Sequence, residues 1–217
     1  MGQGENSTAR ARRLWDRLAP GYDRAIRPVE WLLFGGGRQW VSSRATGRVL
    51  EVAVGTGRNF PFYPAAVSVT GLELSPAMLS IARRRACDLG LDVHLCEGDA
   101  LALPFAAASF DTVVCTLSLC NVPDPATAIA EMARVMRPGG RMLLLDHVVS
   151  RWRPVRALQR LAEAVTVPAA EEHLTRRPAA MLPAAGLRIV ESHRRKLGIA
   201  ERVHARRGPG VQGGPGG

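Results

Sequence analysis

The sequence predicts an α/β protein whose mainly parallel sheet is covered by helices on both faces. Three observations carry this. Short apolar runs alternate with helical stretches from residue 48 onward. Several of those runs, such as MLLL at 142–145 and VVC at 113–115, are continuous, as expected for strands buried on both faces. The stretch VLEVAVGTGRNF at 49–60 reads as a strand entering a glycine turn, the shape of a nucleotide-binding loop.

Taken in order, residues 9–46 read as helical, with Leu14, Trp15, Leu18, Tyr22, Ile26, Val29 and Leu33 at helical spacing. Pro20-Gly21, Pro28 and Gly35-Gly36-Gly37 are expected to cut this region into short pieces. RVLEVAV at 48–54 is the first strand and VSVTGLEL at 67–74 the second. A helix over 75–90 follows, with Ser75 as N-cap, Pro76 at its first position and Gly90 at its end. Strands at 92–99 and 110–119 come next, then a helix at 125–136 stopped by Pro138-Gly139-Gly140, then a fifth strand at 141–149. Helical segments near 154–165 and 178–184 precede GLRIVESHRR and LGIAERVHAR, two strands placed to pair antiparallel at one edge across a tight Lys196-Leu197-Gly198 link. Residues 1–8 are polar and unpatterned, and 208–217 is Gly/Pro low complexity; both ends are expected to be disordered.

At 217 residues and 47% hydrophobic content the chain suits one domain with a buried core. No apolar run approaches the roughly 18 residues of a membrane span, and the first ten residues lack the apolar core of a signal peptide. The four cysteines, Cys87, Cys96, Cys115 and Cys120, form no CxxC pair. They read as buried free thiols of a reducing, cytoplasmic compartment. The net charge is +10, but 28 of the 29 basic residues are arginine in an Ala- and Gly-rich chain, so composition alone accounts for much of it. No basic stretch is interleaved with aromatics for base stacking, so nucleic acid is not the expected partner. The sequence carries no signal for an oligomeric state.

The glycine turn decides between cofactors. A nicotinamide fingerprint needs glycine three residues after Gly57, where this chain has Phe60. The companions of the turn are acids. Glu73 ends the second strand, where a carboxylate accepts both hydroxyls of a ribose, and Asp99 ends the third, where one accepts the exocyclic amine of adenine. Either alone is an ordinary strand end; both, after EVAVGTG, form a specific constellation.

At these residues the sequence resembles the class I S-adenosylmethionine (SAM)-dependent methyltransferases. The likeness runs through EVAVGTG, GLELSPAML, CEGDALALPF, FDTVVCTLSLCNVPDP and EMARVMRPGGRMLLLDHV, roughly residues 15 to 150. It is similar to the branch holding ubiquinone/menaquinone C-methyltransferases, phospholipid N-methyltransferases and thiol S-methyltransferases. The resemblance implies a Rossmann-like, mainly parallel seven-stranded sheet with an antiparallel edge strand. Residues 9–46 would form a helical lid, residues 47–207 a SAM-binding domain, and residues 151–184 an insert capping the substrate.

The resemblance also implies roles. Glu51 would organise the amino end of the methionine moiety, with Ala53, Gly55, Thr56 and Gly57 passing beneath it. Glu73 would hold the ribose, Leu74 and Met78 would flank the adenine, and Asp99 with Ala100 would read its edge. Thr116, Leu117 and Ser118 would border the methyl. Ala53 departs from the family's E/D-x-G-x-G-x-G pattern, and its methyl is tolerable if the residue keeps a negative φ. His147 is the candidate general base, or else a structural hydrogen-bonder. Tyr22 would cover the cofactor, or else be an ordinary helix aromatic.

Strand four ends in NVPD rather than the motif that clamps planar amino groups of DNA and protein amides. No Asp-Asn pair follows strand five, and no metal-ligand cluster of suitable spacing is seen, so no metal is expected. The implied acceptor is a small or lipid-like molecule offering N, S or C. A non-catalytic SAM-binding protein, hinted at by Ala53, and an RNA-modifying enzyme, hinted at by the charge, are the alternatives. Finally, YDRAIRPVEWLLF (22–34) and RWRPVRALQR (151–160) combine apolar side chains with arginines. They suit either shallow contact with an anionic membrane or cover for the protein's own pocket.

Overall fold

The computed structural model describes residues 3–208, so most of the Gly/Pro tail and the first two residues lie outside the described part. Its centre is a seven-stranded sheet in the order β3-β2-β1-β4-β5-β7-β6. The strands are β1 (Arg48–Val52), β2 (Ser68–Glu73), β3 (Val93–Glu97), β4 (Phe110–Thr116), β5 (Met136–His147), β6 (Leu187–Arg195) and β7 (Ala200–Arg207). The first five pair in parallel, while β7 lies antiparallel between β5 and β6. The expected antiparallel pair at one edge is therefore present. The chain winds outward from β1 to β2 and β3, then returns to place β4 on the other side of β1. That reversal opens a crevice beyond the carboxyl ends of β1 and β4.

Helices α1 (Gln3–Val29), α2 (Gly37–Ser42), α3 (Pro76–Asp88), α4 (Pro125–Val135), α5 (Arg153–Ala170) and α6 (Pro178–Met181) complete the layers. Ser75 caps α3 by accepting the Met78 N–H at 3.1 Å. Asp124 caps α4 by accepting the Ala126 and Thr127 N–H groups. The core on one face of the sheet joins Leu50, Val113, Met142 and Leu144 to Ile129 and Met132 of α4. On the other face Val49, Val114 and Leu143 meet Trp40 and Val41 of α2.

The N-terminal region departs from expectation. Helix α1 begins at Gln3, within the stretch expected to be disordered, and it runs unbroken through Pro20-Gly21 and Pro28. A proline removes one N–H and crowds the preceding turn. Here Pro20 and Gly21 are exposed, and the helix is pinned on either side of them by side chains reaching the domain. Asp16 accepts from the Ser75 hydroxyl at 2.6 Å and the Ala77 N–H at 3.2 Å. Asp23 accepts from the Thr56 hydroxyl at 2.7 Å and pairs with Arg85. The helix ends where the chain was expected to break: a π-helical turn over Glu30–Phe34 leads to Gly36, whose φ is 71°.

A second departure is in the glycine turn. Ala53 has a φ of 54°, the left-handed region, rather than the negative value its methyl would prefer. For a residue with a Cβ this conformation costs about 1–2 kcal/mol, part of which glycine would lose again through its freer unfolded chain. Ala53→Gly is therefore expected to stabilise the fold by about 0.5–1 kcal/mol. Chemical denaturation checks it, and an unchanged or lowered midpoint would show that the turn is unstrained. Gly57, at φ 78°, has no such freedom: a Cβ there would overlap the ring of Phe60. Phe60 thus closes the turn by packing onto Gly57.

Candidate active site

The crevice is an open-mouthed cavity with about 100 Å³ of room for the centre of a water molecule. Its floor is the turn after β1, from Ala53 to Thr56 with Arg58. One wall comes from Glu73, Leu74 and Met78, and the next from Asp99 and Ala100 after β3. The opposite wall is Thr116, Leu117 and Ser118 at the end of β4, and α1 forms the roof with Thr8, Trp15 and Tyr22. Most residues that the resemblance singled out thus meet in one place. Three do not line it: Glu51, Gly57 and His147.

Glu73 is 6% exposed, and its two carboxylate oxygens accept the backbone N–H of Gly55 at 2.9 Å and of Ser75 at 3.0 Å. Burial raises its pKa, against the pull of those N–H groups. The bonds fix the carboxylate on the cavity wall with lone pairs left over. Asp99 accepts the Leu101 N–H at 2.9 Å, and the Thr8 hydroxyl at 2.9 Å ties α1 to the same carboxylate. A Cβ added at Gly55 would meet nothing within 4 Å, so its missing side chain leaves the floor open. Two hydrogen-bonding acids, the apolar Leu74 and Met78, and an open glycine floor together fit an adenosine.

Glu51 lies beneath the floor, 1% exposed. It accepts from Asn59 Nδ2 and the Tyr63 hydroxyl, each at 2.8 Å. Asn59 also donates to Thr116 Oγ1 at 3.0 Å, so Glu51 reaches the cavity only through other side chains. Burial pushes its pKa up to about 7, with Tyr63, Arg38 and Asn59 pulling the other way.

Two cavity-lining arginines were not anticipated. Arg38 of α2 donates to Asn59 and Thr116, each at 3.0 Å, and Glu30 pairs with both Arg38 and Arg58. Burial opposes the charge on Glu30, but the two guanidiniums prevail and hold its pKa below the usual range. Nothing in the spacing of residues 30, 38 and 58 signals this cluster, because three elements bring it together. Tyr22 stands edge-on to Trp15 at 6.0 Å, and burial pushes its pKa up to about 12. Asn121, also on the wall, has a buried Oδ1 with no partner among the described residues.

His147 stands behind the strand-four wall rather than on it. It is 7% exposed, and its Nε2 is 2.9 Å from Glu172 Oε1. Burial disfavours the charged ring, yet Glu172 and Asp146 outweigh that and raise its pKa. Cys120 joins the pair, the three ligand-type atoms lying within 4.8 Å of one another. Sequence spacing showed no such cluster, since its members are far apart along the chain. The expectation of four buried thiols holds for Cys115 and Cys120, while Cys96 is half-buried and Cys87 exposed.

Comparison with known proteins shows what the chain is similar to. Residues 50–144 match the family model described as a methyltransferase domain. The chain is 40% identical over 116 residues to a phosphatidylethanolamine N-methyltransferase of Cereibacter sphaeroides, covering 52% of this chain and 57% of that protein. It is 37% identical to a demethylmenaquinone methyltransferase of Renibacterium salmoninarum, covering 67% of this chain and 62% of that one. The chain thus spans less than two thirds of the length of these relatives. Among solved structures, a SAM-dependent methyltransferase of Thermotoga maritima, described as a possible histamine N-methyltransferase, superposes with a TM-score of 0.69 at 22% identity. That superposition covers 90% of this chain and 99% of that one, and it bears on the fold. The match over residues 50–144 and the superposed fold agree: this part of the chain is similar to methyltransferase domains, and its fold is that of the superposed structure.

Proposed function

We propose that this protein is a SAM-dependent methyltransferase acting on a small or lipid-like acceptor that bears an amine. The observation that carries the cofactor is the cavity wall on which Glu73 and Asp99 stand at successive strand ends. In this reading Glu73 accepts the ribose hydroxyls, and Asp99 with the Ala100 backbone reads the adenine edge. Arg38 and Arg58 supply positive charge for the cofactor's carboxylate, Glu30 holding them in place until then.

The cofactor, when bound, supplies a sulfonium methyl that transfers by in-line displacement. What the chain contributes is placement and exclusion of water. Tyr22 and Trp15 roof the cavity, and Thr116 to Ser118 form the side from which an acceptor approaches. An amine is favoured because a phosphatidylethanolamine N-methyltransferase is 40% identical to this chain over 116 residues. The phosphatidylethanolamine N-methyltransferase and the demethylmenaquinone methyltransferase support the small or lipid-like class.

Peripheral contact with an anionic membrane belongs to the same proposal. The alternative, that the apolar residues of 22–34 and 151–160 cover the protein's own pocket, accounts for Tyr22, which lines the cavity, but not for the two exposed tryptophans. Trp31 is 80% exposed and Trp152 61%. Leu158, Leu161 and Val165 leave an apolar stripe on the outside of α5, among Arg153, Arg156 and Arg160. Trp31 also borders the cleft formed with Arg194, Arg195 and Lys196 at the β6–β7 turn. Among the described residues no helix is long and apolar enough to cross a membrane, so the contact would be shallow.

Two measurements test the proposal. A SAM-consumption assay across amines, thiols, phenols and phosphatidylethanolamine is expected to show turnover with an amine. Saturable SAM binding without turnover on the whole panel would favour a binding protein instead, and steeply salt-dependent RNA binding an RNA-modifying one. Co-sedimentation is expected to retain the protein on anionic vesicles at low salt and to lose it at moderate salt, each basic residue near the surface contributing about 1 kcal/mol. No retention on any vesicle would turn the acceptor toward a soluble amine.

A further inference from the structure

Beyond the cofactor cavity, one cluster is left without a task. Cys120 lies in the loop after β4, His147 is the last residue of β5, and Glu172 lies just beyond α5. Each is held from its backbone. The Cys120 carbonyl accepts the His173 N–H at 3.1 Å, and the Glu172 carbonyl accepts the Thr166 hydroxyl at 2.8 Å. Arg176 braces the same loop by donating to the carbonyls of Leu119, at 2.8 Å, and Val122. The three side chains therefore converge on elements that are already fixed.

His147 Nε2 is 2.9 Å from Glu172 Oε1, and with Cys120 Sγ the ligand-type atoms of the three side chains lie within 4.8 Å of one another. Thiol, imidazole and carboxylate form a mixed S/N/O donor set suited to a borderline divalent ion. Zinc bonds of roughly 2.0–2.3 Å place neighbouring ligand atoms about 3.3–3.7 Å apart. The present spread of up to 4.8 Å would close with side-chain shifts of about 1 Å.

We propose that Cys120, His147 and Glu172 form a binding site for a single divalent ion of the zinc class, with a fourth position left for water. The ion would replace the proton shared between His147 and Glu172 and the proton of the Cys120 thiol, which leave to solvent. Cys120 adjoins Asn121 on the cavity wall, so the ion would brace the acceptor-side loop from behind.

The test is titration of the chelator-treated, dialysed full-length protein with cobalt(II), followed by displacement with zinc. One equivalent is expected to bind with a sulfur-to-cobalt charge-transfer band and the visible absorption of tetrahedral cobalt. Cys120→Ala should abolish the charge-transfer band, whereas Cys87→Ser should leave it. Glu172→Gln should weaken cobalt binding by about tenfold or more while circular dichroism shows an intact fold. Absence of the band in the unaltered protein would overturn the proposal. So would a band that survives Cys120→Ala, or cobalt affinity unchanged in a folded Glu172→Gln protein.

Discussion

Glu73→Ala is expected to weaken SAM binding by about 1.5–3 kcal/mol, or roughly 10- to 150-fold in Kd. The carboxylate is held in place by Gly55 and Ser75, so little ordering remains to be done when ribose hydroxyls arrive. Its removal takes away charge-assisted hydrogen bonds and leaves two backbone N–H groups without their acceptor. Glu73→Gln separates these effects, since the amide keeps one acceptor oxygen and loses the charge; an intermediate loss is expected. Asp99→Ala should cost less. The adenine amine offers Asp99 one neutral donor, whereas the ribose offers Glu73 two hydroxyls. Calorimetry with SAM decides the matter. Affinity unchanged in both alanine variants would reject the assignment of this wall to adenosine.

Glu51→Gln is expected to change how stability depends on pH, by up to about 3 kcal/mol. Burial raises the Glu51 pKa from 4.5 to about 7, and unfolding returns it to its ordinary value. Between those values the folded protein binds the proton more tightly than the unfolded chain. The contribution of Glu51 is therefore most favourable below about pH 4.5, falls as pH rises towards 7, and stays low above that. Glutamine carries no charge at any pH and still meets Asn59 and Tyr63. Urea denaturation across this range should show the variant gaining on the parent protein as pH rises, with the full difference reached by about pH 8. Glu73 and Asp146 are shifted in the same direction, so the parent curve holds other contributions, and only the difference between the two proteins reports Glu51. Parallel curves would mean that Glu51 titrates normally in the folded state.

The sequence by itself determined the strand-and-helix order, the capping of α3 by Ser75, the antiparallel pair at one edge and the acids at the ends of the second and third strands. These are local properties. A strand's burial shows in an unbroken apolar run, a cap in the residue before a helix, and Glu73 and Asp99 in their position after recognisable strands. Where the local signal failed, tertiary contacts had overridden it. Pro20 and Pro28 argued for broken helices, yet Asp16 and Asp23 pin α1 to Ser75 and Arg85 and carry it through. Ala53 argued for a negative φ, yet the turn holds it at 54°. The Glu30–Arg38–Arg58 cluster, the withdrawal of Glu51 beneath the floor and the convergence of Cys120, His147 and Glu172 were decided only by the tertiary structure. Each joins residues from separate elements, and the distance between them is set by how the sheet and helices pack, a quantity that spacing along the chain does not encode.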